Sequence, residues 1–75
     1  MVERRYYFRF MDHELECAAH ARGRDAWEAT LVVRRFAGNA LMQRTLTPHC
    51  GVRDSVEAAI GCARERGELW VLRNG

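Results

Sequence analysis

The feature that most limits the fold of this chain is a single change of hydrophobic period at Pro48. Before it, apolar residues recur at every second position, the spacing of a strand with one buried face. After it they recur at the spacing of an amphipathic helix. A chain that makes this switch once folds as strands first and a helix second. The expectation is an α+β domain, an antiparallel meander of about four strands covered on one face by a C-terminal helix, ββββα.

The strands follow from the alternation. Tyr6, Phe8 and Phe10 share one face with Tyr7 and Arg9 on the other, and a turn at Met11-Asp12 follows. From His13 the pattern restarts, with Leu15, Cys17, Ala19 and Ala21 facing inward and Glu14, Glu16, His20 and Arg22 outward. Arg22-Gly23-Arg24-Asp25 has the polarity and length of a hairpin connection. Trp27, Ala29, Leu31 and Val33 then oppose Glu28, Thr30, Val32 and Arg34. Ala37-Gly38-Asn39 marks a second hairpin, because Gly and Asn accept positive φ. Residues 41–47 form a weaker fourth strand that Pro48 ends.

Beyond the loop Pro48-His49-Cys50-Gly51, Asp54 is the expected helix cap, with Glu57 completing a capping box. Val56, Ala59, Ile60, Ala63, Gly67, Trp70 and Val71 fall on one stripe facing the sheet. Gly67 in that stripe allows close approach of helix and sheet. Arg64, Arg66 and Arg73 complement the negative end of the helix dipole. Residues 68–72 admit two readings, because Arg64-Glu65-Arg66-Gly67 also has the form of a helix stop that would leave a last strand. Trp70 and Val71 keep the phase of the earlier stripe, which favours one continuous helix. Its far side would then carry Leu69 and Leu72. The expected core is Tyr6, Phe8, Phe10, Leu15, Cys17, Trp27, Leu31, Val33, Leu46, Val56, Ile60, Ala63 and Trp70.

Size and composition bound what such a domain can do. Residues 1–75 make one small domain, 48% apolar and 29% charged, a balance that folds rather than staying disordered. Nearly every apolar residue is needed to cover one sheet with one helix, which leaves little material for an enclosed substrate pocket. No apolar run is long enough to span a membrane or to serve as a signal peptide, so the expected compartment is the cytoplasm. Cys17, Cys50 and Cys62, an odd number at irregular spacing, agree with a reducing compartment and argue against a disulfide framework.

Catalytic and metal chemistry find no home in the pattern. Cys17 and His20 resemble half a zinc site, but residues three apart on a strand point to opposite faces. His49 beside Cys50 has the residue types of an activated thiolate, yet no third group orients the imidazole. Ser55 is explained by helix initiation, and the glycines are too scattered for a phosphate loop. The reading is a non-enzyme without catalytic residue, cofactor or metal.

Two binding readings remain. All 12 basic residues are arginine, the side chain best suited to bidentate phosphate or carboxylate recognition. Tyr7, Arg9, His20, Arg22, Arg34 and Arg44 would form an open sheet face able to bind RNA or single-stranded DNA. Against that stand a net charge of only +2 and Glu14, Glu16 and Glu28 on the same face. Cross-strand pairs such as Glu16 with Arg34 account for those charges more simply. The favoured reading is a protein-interaction module, whose partner is another protein or, by weak self-association, a second copy. Its surface is drawn from Tyr7, Arg9, Val32, Arg34, Leu69 and Leu72, together with Met11, the residues least explained by the core.

The aromatic opening Tyr6-Tyr7-Phe8-Arg9-Phe10, the strands Glu14-Leu15-Glu16-Cys17 and Trp27-Glu28-Ala29-Thr30-Leu31, the helix start Asp54-Ser55-Val56-Glu57-Ala58-Ala59 and the closing Trp70-Val71 are similar to a group of short uncharacterised bacterial proteins. Leu72 departs from that pattern, in which an acidic residue is more usual. The resemblance implies the meander-and-helix fold and brings no activity with it.

Overall fold

A computed structural model describes residues 2–74, so the first and last residues of the 1–75 domain lie outside the described residues. The elements run β1 (Glu3–Phe10), β2 (His13–Gly23), β3 (Ala26–Ala37), β4 (Ala40–Leu46), β5 (Val52–Arg53) and α1 (Val56–Asn74). The first four strands form an antiparallel meander in the order β1-β2-β3-β4, and β5 pairs β3 beside Trp27 and Glu28. The ββββα architecture expected from the change of period is the one observed.

Register fixes which residues share a face. Tyr6, Cys17, Leu31 and Leu46 form one row across the sheet, and Phe8, Leu15, Val33 and Arg44 form the next. Phe10, His13, Arg35 and Met42 form a third. This face receives α1. Leu15, Cys17, Ala19, Leu31 and Val33 on it are buried against Ala59, Ile60, Ala63 and Val71 of the helix. Phe8, Phe10, Trp27, Leu46, Val56 and Trp70 border that cluster and are partly buried. Tyr6 corrects the expected core: it has the right parity but stands 45% exposed on the edge strand β1, beyond the cover of the helix.

The helix is continuous through residues 68–72, as the phase of Trp70 and Val71 indicated. Gly67 has the role its position implied, since a Cβ there would lie 3.1 Å from Leu15 Cδ2 and 3.2 Å from Leu31 Cδ1. The start of α1 differs from expectation by one residue. Ser55 is the cap, its Oγ accepting the Ala58 N–H at 3.1 Å, and Asp54 is exposed outside the helix. The unexpected β5 supplies the reason, because pairing Val52–Arg53 to β3 sets where the chain can begin to coil.

The cysteines also depart from expectation. Cys50 and Cys62 are joined by a disulfide that ties the loop before β5 to the second turn of α1, at a Cα separation of 6.1 Å. Only Cys17 is free, and it is buried. Sequence spacing could not show this pair, because a loop and a helix are brought together by tertiary packing alone. Burial pushes the Cys17 thiol up from 9.0 to about 11.

Candidate functional site

The two sides of the sheet use their charges in different ways. On the side away from α1, register places Arg9, Glu14, Arg34 and Gln43 in one row and Tyr7, Glu16, Val32 and Thr45 in the next. Arg34 Nη2 lies 2.6 Å from Glu16 Oε1, its Nη1 lies 3.4 Å from Glu14 Oε1, and its Nε donates to Gln43 Oε1 at 2.8 Å. Arg5 reaches Glu16 from the other side and also bonds Glu3 at 2.7 Å. Glu16 is thus only 6% exposed, although it belongs to the face without a helix. Arg22 pairs with Glu28, and His20 contacts Glu3 and Thr30. Arg34, Arg22 and His20, expected to meet phosphates, are engaged with neighbouring side chains. Of that set, Arg9 makes no ion pair among the described residues, and Tyr7 is exposed beside it.

Arg44 requires a correction. It was expected on the open face, yet it pairs with Val33 in register and lies on the helix side, its guanidinium 5.9 Å from the Trp70 ring centre. Residues two apart on a strand share a face, so Arg44 must accompany Leu46, which borders the core. The expected interaction surface also divides. Tyr7, Arg9, Val32 and Arg34 occupy the open sheet face, while Leu69 and Leu72 lie on α1, in the other layer, with exposures of 39% and 64%. The structure does not bring the two groups together.

What it does bring together is a groove that the sequence reading had not assembled. Helix α1 packs on β1, β2, β3 and β5, whereas no Cα of it comes within 8 Å of one in β4, which it meets only through side chains such as Trp70 over Arg44. The helix-facing side of β4 therefore lies open, with Met42, Arg44 and Leu46 as its floor. Two depressions of about 530 Å³ each run along this floor and share Trp70 and Asn74 on the helix wall. Arg66, Leu69 and Arg73 continue that wall at one end; Arg35 and His13 close the other. No aspartate or glutamate lines either depression. Arg35 is balanced from outside by Asp12, at 3.1 Å. Arg44, Arg66 and Arg73 form no ion pair among the described residues. His13 is 4% exposed, and its Nδ1, 2.8 Å from Asp12 Oδ1, is not in a hydrogen-bonding orientation.

Length explains why the tip of the β3–β4 hairpin is bare. Twelve residues of β3 extend roughly 40 Å at strand rise, whereas nineteen residues of α1 extend roughly 28 Å. The β3–β4 hairpin consequently outreaches the helix. Phe36 and Leu41, paired in register near its tip, are 70% and 52% exposed, and Met42 beside them is 59% exposed.

Ser55 Oγ caps the helix, Cys50 is bonded to Cys62, and Cys17 is a buried thiol whose ionisation is suppressed. Among the described residues no three His, Cys, Asp or Glu side chains converge to hold a metal ion. Nor, among them, is any helix long and apolar enough to cross a membrane. No protein-family model, curated protein or solved structure matches the chain.

Proposed function

We propose that this protein is a non-enzymatic interaction module that docks another protein through β4 and the groove beside it. The observation that carries the reading is that β4 ends the strand order and no Cα of α1 comes within 8 Å of it, which leaves an edge strand with Met42 exposed on its helix side. An edge strand pairs on one side only, so its outward N–H and C=O groups are ready to accept a further strand. Natural edges are blunted by charge, proline or cover; β4 has one arginine and none of the rest. Nucleic-acid binding on the open face has less support, because Arg5, Arg22 and Arg34 already hold carboxylates and Arg44 is on the other side.

A photoreactive side chain at Met42 tests this against the same group at Thr30 on the open face. The expected result is a discrete, nuclease-resistant protein adduct from position 42 and none from position 30. Equal labelling at both, or adducts that nuclease removes, would sink the reading. Light scattering over a dilution series identifies self-association, the case in which the partner is a second copy.

The compartment rests on two opposing features. The sequence reading expects the cytoplasm, and the Cys50–Cys62 bond favours an oxidising environment. Thiol titration of denatured protein, alkylated at the moment of isolation, decides between them. Cys17 alone reacting means an oxidised chain; all of Cys17, Cys50 and Cys62 reacting means a reduced one.

A further inference from the structure

We propose that the groove beside β4 takes an acidic, extended segment of a partner protein, added to the sheet as a strand. This rests on the interaction-module reading and specifies the partner's chemistry. Three observations carry it. The groove walls hold Arg44, Arg66 and Arg73 without an intramolecular carboxylate among the described residues, and no acidic residue lines it. On the open face, by contrast, Arg5, Arg22 and Arg34 hold carboxylates, and Arg9 is left without an ion pair among the described residues. The floor beneath the arginines is an unpaired strand edge, not a smooth apolar surface.

These features define a pattern in the occupant. A strand laid on β4 places every second side chain on the helix side, beside Met42, Arg44 and Leu46 in turn. Apolar residues suit the outer two of those positions and a carboxylate suits the middle one. Arg66 and Arg73, seven residues apart on the helix, stand roughly 10 Å apart along its axis and reach carboxylates towards the Leu46 end of the segment. Arginine presents a planar fork that matches a carboxylate in two bonds. A second copy is a poor occupant, because apposing two β4 edges would bring the same arginines of both copies towards each other. A nucleic acid is poorer than a peptide, because the floor offers Leu46 and Met42 where phosphates would lie.

The test is selection of random peptides the length of β4, displayed on phage, against the full chain. The winners are re-measured as synthetic peptides on two variants of equal net charge. One carries Arg44→Ala, Arg66→Ala and Arg73→Ala; the other carries Arg4→Ala, Arg9→Ala and Arg24→Ala, which remove the same charge far from the groove. The expected result is enrichment of Asp or Glu flanked at alternate positions by apolar residues. Affinity should fall about tenfold or more in the groove variant, as three lost pairs of about 0.5 kcal/mol each imply, and change little in the control. Winners without acidic enrichment, or equal loss in both variants, overturn the proposal. So does a mixed-sequence single-stranded oligonucleotide that binds more tightly than the winners through the same arginines. A specific protein adduct at position 42 whose yield ignores the groove arginines would retain the interaction module and remove the acidic partner. Absence of that adduct removes both.

Discussion

The open face of the sheet and the groove beneath the β3–β4 hairpin contain the same residue type in opposite circumstances. On the open face, cross-strand register sets Arg34 against Glu14 and sends its fork on to Glu16. Arg5 closes over the same carboxylate. In the groove, Arg44 has Val33 as its cross-strand neighbour and Trp70 above it, with no carboxylate in reach. Position therefore decides what an arginine meets: within the sheet face Arg34 and Arg5 complete a nearly buried carboxylate, and at the groove Arg44 meets none. A count of arginines and acids cannot separate these cases, since the net charge of +2 averages over both.

Substitutions can break or sharpen that contrast. The largest difference is expected between the covered strands and β4. Leu31→Ala removes a side chain that is 1% exposed and should destabilise by about 2–5 kcal/mol. Leu41→Ala on the bare strand should change stability by less than about 0.5 kcal/mol. Denaturant melts of the two variants check this, and equal losses would mean that β4 is packed after all. Next is reduction of Cys50–Cys62, a crosslink at a sequence separation of 12, which should cost about 3 kcal/mol if it acts by restricting the unfolded chain. Melts with and without reductant measure it, with Cys50→Ala plus Cys62→Ala as the non-redox control.

The two arginine sets come third. Arg34→Ala leaves the nearly buried Glu16 with one cation instead of two and should cost about 1–2 kcal/mol. Arg44→Ala should cost close to nothing, so a comparable loss there would erase the distinction drawn above. The smallest effect is a pH dependence from Cys17. Its thiol is raised from 9.0 to about 11 in the folded chain, so its contribution is intact below pH 9 and declines as pH rises towards 11. The loss at pH 10 should be on the order of 1 kcal/mol. Alkaline melts of wild type and Cys17→Ala measure the difference, and identical slopes would contradict it.

Much of this was legible in the chain. Alternation gave β2 and β3 their inward residues, and the unbroken phase of Trp70 and Val71 gave α1 its length. The groove was less legible, although one clue was present. Leu46 faces the core, so Arg44, two residues earlier, had to share its face, and period-two parity alone would have moved Arg44 off the open side. No such clue existed for Tyr6, whose parity is correct and whose exposure comes from its place on an edge strand. The same holds for Ser55 as the cap, which depends on β5, and for Cys50 with Cys62, whose pairing depends on a loop folding back to a helix.

Local periodicity and charge order act over a few residues, so the sequence by itself determined the four long strands, the helix and the close contact at Gly67. Coverage is a property of lengths and positions in three dimensions. Only the tertiary structure decided that a helix shorter than β3 would rest on β1 to β3, leave β4 bare and gather Arg44, Arg66 and Arg73 around one groove without a counter-charge lining it.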